Sequence, residues 1–209
     1  MEMVDITNWP RRESYEYFST VSQPFYSVTY TQTVTEIHNF ARRRGLSFYF
    51  AMVWAVTAAV NRVEAFRMTI TPAGPAVLPR RDPSFTVLRP GEESFRILTM
   101  EWDPSPERFC AAAAERERRQ TAFLDQAGET GNLLYLSCLP WIELTGLTNE
   151  RDFDPDDAIP RISWGKYRRE GENLRLGLSL EVNHRLIDGV HIGQFAAALD
   201  EIQRALKES

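Results

Sequence analysis

Apolar and polar residues alternate strictly from Leu174 to Val182, and this pattern predicts one long β-strand. Leucine or valine stands at every second position, with arginine, glycine, serine or glutamate between them. A hairpin turn at residues 169–172 is expected to join this strand to one that ends near Tyr167. Apolar residues then recur at helical spacing and predict an amphipathic closing helix: Phe195, Leu199, Ile202 and Leu206.

Three earlier helices are predicted from helical periodicity and from residues that favour helix ends. They are Thr35–Arg44, which Gly45 ends; Phe48 to about Val63, after Ser47; and a helix from Ser105 towards Gln126, before Gly128. The second helix is apolar on nearly every side, so we expect it to be buried. Three consecutive arginines close the first helix, where cations oppose the helix dipole favourably.

Shorter alternating segments predict further strands, and turns rich in proline separate them. Their apolar positions are Tyr26, Val28 and Tyr30; Phe66, Met68 and Ile70; and Phe95, Ile97 and Thr99. No linker, low-complexity tract or repeat is evident, so residues 1–209 are expected to form a single domain. The predicted fold class is α+β, with a mostly antiparallel or mixed sheet.

Composition narrows the classes of function. A net charge of -5 disfavours general binding to nucleic-acid phosphates, so no nucleic-acid partner is expected. The longest apolar run, residues 48–60, is too short to span a membrane. Two cysteines and an amino terminus without a signal-peptide pattern indicate free thiols and a cytoplasmic location.

The candidate chemistry lies where the long strand ends, in the segment His184–Gly189, which has the pattern H-x-x-x-D-G. A neutral imidazole there can accept a proton near pH 7 and act as a general base. An isolated histidine is more often a hydrogen-bonded core residue, so the motif alone does not decide between the two. The other histidines, His38 and His191, form no known metal-ligand spacing, and no metal site is predicted.

Several further segments, in the same order along the chain, carry a resemblance to the chloramphenicol acetyltransferase family. Trp9–Tyr15 is similar to its W-x-R-x-x-x-aromatic segment, and Ser137–Trp141 to its S-A-x-P-W segment. The remaining matches are Phe66–Met68, Asp82–Val87, Pro160–Tyr167 and the histidine motif itself. The resemblance runs over nearly the whole chain and favours a catalytic role for His184.

The resemblance implies a two-layer sandwich, with a mixed sheet and helices on one face, and direct acetyl transfer from acetyl-CoA to a small alcohol. His184 corresponds to the general base, and Ser137 to the hydroxyl that stabilises the oxyanion. Asp188 corresponds to an aspartate that pairs with the arginine matching Arg11. Ser163 stands where the family has a threonine that reaches the transition state through water.

The resemblance also implies a homotrimer whose active sites lie between subunits. Trp141, Lys166 and Tyr167 fall at positions that border the CoA site, although aromatic residues in strands are more often part of the core. The implied partners are therefore acetyl-CoA and a small-molecule alcohol.

This chain departs from the family pattern at positions that bear on the acceptor. Asn183 replaces the first of two adjacent histidines, and Pro24 replaces a cysteine beside the acceptor pocket. Arg161, Glu143 and residues 146–149 are polar or small where family members are more apolar or aromatic. Chloramphenicol is therefore one candidate acceptor among several alcohols.

Two other functions remain open from the sequence. Dihydrolipoyl acyltransferase catalytic domains share this fold and a His-Arg-x-x-Asp-Gly motif, but the lipoyl domain and Ala/Pro linker that usually accompany them are not present in this sequence. The other alternative is a catalytically silent relative that binds CoA or another ligand. The presence of His184, Ser137, Arg11 and Asp188 at the matching positions argues against that alternative.

Overall fold

The computed structural model describes residues 1–124, 128, 130–152 and 154–208. Within these residues it contains ten strands, six α-helices and a 3₁₀ turn. The strands are β1 (Glu2–Met3), β2 (Phe25–Thr33), β3 (Met68–Thr71), β4 (Gly74–Val77), β5 (Asp82–Val87), β6 (Arg96–Thr99), β7 (Leu133–Leu139), β8 (Arg161–Gly165), β9 (Arg168–Glu170) and β10 (Asn173–Asn183). The helices are α1 (Arg12–Phe18), α2 (Thr35–Arg44), α3 (Phe48–Arg62), α4 (Glu64–Arg67), α5 (Pro106–Arg119) and α6 (Gly189–Glu208).

The main sheet is mixed, as the sequence predicts. Its strand order is β2–β10–β8–β7–β5–β6, and β9 pairs with the first three residues of β10. The pairs β5–β7 and β7–β8 are parallel, whereas β10 is antiparallel to β2, β8 and β9. The three short strands β1, β4 and β3 form a separate antiparallel sheet.

Helices cover one face of the main sheet, because the apolar side chains of its central strands point that way. Leu178 and Leu180 of β10 are fully buried in the core that also contains α2, α3, α5 and α6. Helix α3 contacts α2, α5 and α6. Its residues from Phe50 to Val60 are all buried, which confirms the prediction of a buried helix.

The segment that joins β7 to β8 covers part of the opposite face. Gly165 and Gly177 allow its backbone to lie directly on the sheet. A β-carbon at Gly177 would stand 1.8 Å from the carbonyl oxygen of Leu144, and one at Gly165 would stand 2.5 Å from the Leu144 nitrogen. These two glycines are therefore required by the close approach of the chain rather than by backbone dihedral angles.

The helix ends follow the predicted signals in α2 and α3. Gly45 ends α2 in the left-handed conformation, with φ of 64°, and the Ser47 hydroxyl accepts a hydrogen bond from the Phe50 N–H at the start of α3. The prediction that the helix from Ser105 continues towards Gln126 is wrong, because residues 120–124 are not helical. Gln126 itself lies outside the described residues. The helix ends at Arg119 because the chain turns to the edge of the sheet, where the Ile97 N–H donates to the Phe123 carbonyl.

Other boundary predictions need correction. Phe66 lies in the helical turn α4 instead of a strand, because it packs its ring against Phe195 before β3 begins at Met68. Phe95 precedes β6 and is exposed. The hairpin turn is shorter than predicted: β9 extends through Glu170, and Gly171 has φ of 60° in the turn.

Arg81 fixes the amino-terminal ends of β7 and β8, a role that its position in the sequence does not reveal. Its side chain is fully buried and donates hydrogen bonds to the carbonyls of Phe66, Met68, Leu133 and Ala158, at 2.5–2.9 Å. Burial lowers the pKa of this arginine to about 9. A buried guanidinium with four carbonyl acceptors ties together segments that are far apart in the chain.

Both cysteines are free, as predicted: Cys110 is buried and Cys138 is partly buried. Burial raises the pKa of each thiol to about 12, so both are protonated at neutral pH. None of the described helices combines the length and the apolar character needed to cross a bilayer.

Candidate active site

His184 is the first residue after β10 and lies between two aromatic rings. Its backbone N–H donates to the carbonyl of Pro24 at 2.6 Å, which fixes the start of the following loop against the residues before β2. The imidazole stacks on Phe18, with ring centroids 3.9 Å apart, and its centroid lies 4.3 Å from that of Tyr26. These contacts hold the ring in one orientation while leaving it partly exposed.

The surroundings of His184 favour the neutral imidazole. Burial lowers its pKa below the ordinary value, the charge of Asp188 opposes this shift, and the charge of Arg11 reinforces it. A histidine whose pKa is lowered is unprotonated at neutral pH and can accept a proton. Within the described part of the chain its ring nitrogens make no hydrogen bond, so no carboxylate holds the ring as in a serine-protease triad.

Asp188 instead forms an ion pair with Arg11, as the resemblance implies. The Arg11 side chain is 18% exposed and the Asp188 side chain is 30% exposed, so the pair is only partly shielded from water. Burial raises the pKa of Asp188, but the hydrogen bond and charge of Arg11 outweigh it and hold the pKa below its ordinary value. The Asp188 N–H donates to Nδ1 of His191 at 3.1 Å, which further fixes this loop.

Ser137 and Ser163 belong to a row of hydroxyl side chains that crosses the sheet. Ser137 pairs with Ser163, Ser163 pairs with Ser179, and Ser179 pairs with Thr29. The Ser137 hydroxyl lies 3.3 Å from that of Thr86 on β5. Because side chains directly opposite each other share a face, the row points away from the helix layer.

A cleft of about 1590 Å³ opens over this row. Ser137 and Ser163 line it together with Trp141, Lys166 and Tyr167. The last three follow the carboxyl ends of the parallel strands β7 and β8, and the Lys166 N–H donates to the Ile142 carbonyl at 2.7 Å. The structure thus brings the two serines and the three predicted CoA contacts into one cleft. Trp141 is 69% exposed and Tyr167 is 39% exposed, so neither is a core residue.

His184 does not line that cleft. Ser179 is level with Ser163 and Ser137, whereas His184 lies five residues further along β10 (184 minus 179). At about 3.3 Å per residue and about 4.8 Å per strand, the Cα atoms of His184 and Ser137 are about 19 Å apart. The two side chains of one chain therefore cannot reach the same reacting atom.

A buried cluster of charged residues adjoins the row of hydroxyls, and the sequence analysis did not predict it as a unit. Arg151 contacts Glu181 at 2.7 Å and Asp157 at 3.1 Å, and Asp157 also contacts Arg161 at 2.8 Å. The guanidinium of Arg151 lies 3.7 Å from the centre of the Phe25 ring. The only signal in the sequence was the presence of arginine at position 161, where the resembled family is more apolar.

Comparisons with known proteins agree with one another. The model of the chloramphenicol acetyltransferase family matches residues 1–202. The chain is 32% identical over 203 residues to a chloramphenicol acetyltransferase from Streptomyces acrimycini, covering 95% of this chain and 92% of that protein.

Two solved structures share the fold. A chloramphenicol acetyltransferase superimposes with a TM-score of 0.87 at 21% identity, over 97% of this chain and 100% of the other. A dihydrolipoamide acetyltransferase from Azotobacter vinelandii superimposes with a TM-score of 0.66 at 18% identity, over 93% of this chain and 86% of the other. The predicted fold class, a mixed sheet with helices on one face, is thereby confirmed.

Proposed function

The chain belongs to the chloramphenicol acetyltransferase family and is an acyltransferase, and from this we propose that it transfers acetyl from acetyl-CoA to a hydroxyl of chloramphenicol or another small alcohol. The proposal treats residues 1–209 as one catalytic domain. Two protonated thiols and the use of acetyl-CoA support a cytoplasmic location as part of the same proposal.

The environment of His184 carries the proposal. The imidazole takes the proton of the acceptor hydroxyl while the hydroxyl oxygen attacks the thioester carbonyl. The tetrahedral intermediate then collapses, the carbon–sulfur bond breaks, and the proton passes to the CoA thiolate as the acetyl ester forms. A pKa below the ordinary value supports this role, because the ring is in its basic form at neutral pH.

The cleft supports the binding of acetyl-CoA. The Ser137 hydroxyl donates a hydrogen bond to the developing oxyanion, and Ser163 holds a water molecule near the same position. Trp141, Lys166 and Tyr167 stand at the carboxyl ends of β7 and β8 and contact the CoA arm. Lys166 supplies a positive charge for its phosphates. No metal takes part in this mechanism.

Each complete site is composed of two chains. The separation of about 19 Å between His184 and Ser137 within one chain supports this arrangement, since both must contact the same acetyl group. We therefore extend the proposal to a homotrimer in which the His184 of one chain faces the cleft of its neighbour. Arg11 and Asp188 keep the His184 loop in position for that contact.

The dihydrolipoyl acyltransferase alternative rests on similarity of fold alone, because the solved structure that resembles it is 18% identical. No feature of the described cleft favours dihydrolipoamide over other acceptors. A silent relative is also disfavoured, since the proposed base and oxyanion donor are both present with accessible side chains.

Release of free thiol from acetyl-CoA, measured with chloramphenicol and a panel of primary and secondary alcohols, tests the proposal. We expect turnover with at least one alcohol and formation of its acetyl ester by mass spectrometry. Turnover with dihydrolipoamide alone would support the alternative enzyme. CoA binding without acetylation of any acceptor would contradict the proposed function.

The pH dependence of kcat/KM gives a second prediction. In the wild type, activity falls as pH decreases through a pKa below about 6.5, where His184 becomes protonated. Asp188→Asn removes the charge that raises the His184 pKa and leaves the opposing charge of Arg11, so the acid limb moves to lower pH. Arg11→Gln, the matched variant, moves it to higher pH. Shifts in the same direction for both variants would contradict this account of the electrostatics.

A further inference from the structure

The cleft has two ends, and the row of hydroxyls lies between them. Trp141, Lys166 and Tyr167 stand at the carboxyl ends of the parallel strands β7 and β8. Tyr135 and Arg161 also line the cleft, but they stand at the amino-terminal side of the row, two residues before Ser137 and Ser163. Under the proposed function, the CoA arm occupies the first end. The body of the acceptor then lies over Tyr135 and Arg161.

Arg161 presents unused hydrogen-bond donors at this end. Its side chain is only 12% exposed. Within the described residues, Nη1 is the donor of all its hydrogen bonds: one to Oδ2 of Asp157 at 2.8 Å and one to the Ile159 carbonyl at 3.3 Å. The guanidinium carbon lies 5.4 Å from the centre of the Tyr135 ring, which sits beside it in the paired strand. Nε and Nη2 therefore keep donors that the described residues do not use.

The carboxylates of the cluster are already engaged. Oε1 of Glu181 accepts from Nε of Arg151 at 2.8 Å, and Oε2 accepts from the Asn149 N–H at 2.8 Å. Oδ1 of Asp157 accepts from the Ile159 N–H, and Oδ2 accepts from both Arg151 and Arg161. A ligand group that completes this cluster must therefore be an acceptor, and a carboxylate matches the planar fork of a guanidinium.

Apolar surface continues the same cleft. Tyr135 and Leu147 both line it on the side of Arg161: Tyr135 pairs with Arg161, and the Leu147 carbonyl accepts a hydrogen bond from the Ser179 hydroxyl at 3.3 Å. Ser163 and Arg161 are two residues apart on one strand, about 6.6 Å along it. The cleft thus offers an apolar wall, a reacting position over the serines, and a guanidinium two residues along the strand from Ser163.

We infer that the acceptor of this enzyme is an alcohol with an apolar body and a carboxylate that binds Arg161. The inference rests on the proposed function, because it assigns the acceptor end of the cleft from the expected position of CoA. Glu93, Glu117 and Glu150 also line the cleft, so an acceptor that carries an amine is the competing possibility. Glu93 and Glu150 are exposed, whereas the arginine is nearly buried next to the reacting position.

The test compares three alcohols that share one aromatic frame: 4-(hydroxymethyl)benzoate, its methyl ester, and 4-(aminomethyl)benzyl alcohol. We expect kcat/KM for the carboxylate to exceed that for the ester by about tenfold or more, because only the carboxylate can form charge-assisted hydrogen bonds with the guanidinium. Arg161→Gln should reduce this ratio to about one. Arg118→Gln removes the same charge from an exposed position of α5 outside the cleft and should leave the ratio unchanged.

Arg161→Lys is the control for misfolding of Arg161→Gln, since it keeps a cation beside Asp157 while removing the planar guanidinium. It should fold as the wild type and show a ratio between those of the wild type and Arg161→Gln. Equal use of carboxylate and ester by the wild type, an unchanged ratio in Arg161→Gln, or preference for the amine would each overturn the inference.

Calorimetric binding of the same probes, with CoA present, separates this inference from the proposed function. If no alcohol is acetylated, the proposed function fails. The inference about Arg161 is still decided by whether the wild type binds the carboxylate more tightly than the ester and Arg161→Gln does not.

Discussion

Replacement of His184 by alanine is expected to lower kcat by a factor between about one hundred and ten thousand, the usual contribution of a general base. In the proposed mechanism the imidazole takes the acceptor proton, and burial favours its basic form by lowering its pKa. Its loss leaves the cleft, the serines and the proposed CoA contacts intact. KM for acetyl-CoA should therefore change little. Thiol release under saturating substrates, together with CoA affinity, measures both effects.

Two controls distinguish a missing base from a damaged structure. His184→Gln retains a polar side chain between Phe18 and Tyr26 but has no basic nitrogen, so it should be as inactive as the alanine variant. Added imidazole should restore part of the activity of His184→Ala through the space left between those rings. An alanine variant with more than about a tenth of wild-type kcat would be incompatible with catalysis by this base.

Replacement of Ser137 by alanine is expected to lower kcat by about one hundred- to one thousandfold, the cost of removing one hydrogen-bond donor from an oxyanion site. The serine residue is partly buried in the cleft, and among the described residues its hydroxyl has a hydrogen-bond contact with the hydroxyl of Thr86. Because the oxyanion exists in the transition state and not in bound substrate, KM should remain near its wild-type value. Steady-state kinetics with the best acceptor of the panel measures this effect.

Ser179→Ala provides the matched control for this substitution. Ser179 belongs to the same row of hydroxyls, but it lies outside the cleft and donates to the Leu147 carbonyl at 3.3 Å. The change removes the same atom from the same face of the sheet, so we expect activity close to that of the wild type. Equal losses in the two serine variants would indicate a structural effect of the row instead of oxyanion stabilisation.

Local sequence patterns predicted the elements that their own residues stabilise. The alternation in β10 and the nearly continuous apolar character of α3 were sufficient, because each element buries its own periodic face. The end of α5 was not predictable in this way. It depends on Gln120, whose side chain donates to the Ile97 carbonyl at 2.7 Å in a segment more than twenty residues earlier (120 minus 97).

The candidate site divides along the same line. His184, Ser137, Arg11 and Asp188 were identified from motifs, and the ion pair that the resemblance implies between the last two is present in the structure. The sequence does not reveal that about 19 Å separates the histidine from the serine of one chain, since this distance follows from strand register. The cluster of Arg151, Asp157, Arg161 and Glu181 likewise exists only because the segment between β7 and β8 folds over the sheet.

Co-assembly of the His184→Ala and Ser137→Ala variants tests the central claim most directly. Chains of the two variants are produced together, purified as mixed oligomers and assayed for thiol release. If each site takes its histidine from one chain and its serine from the next, roughly a quarter of the interfaces in an equal mixture regain both groups. Activity should then rise to a comparable fraction of the wild type. Activity no greater than the average of the two separate variants would contradict a site shared between chains.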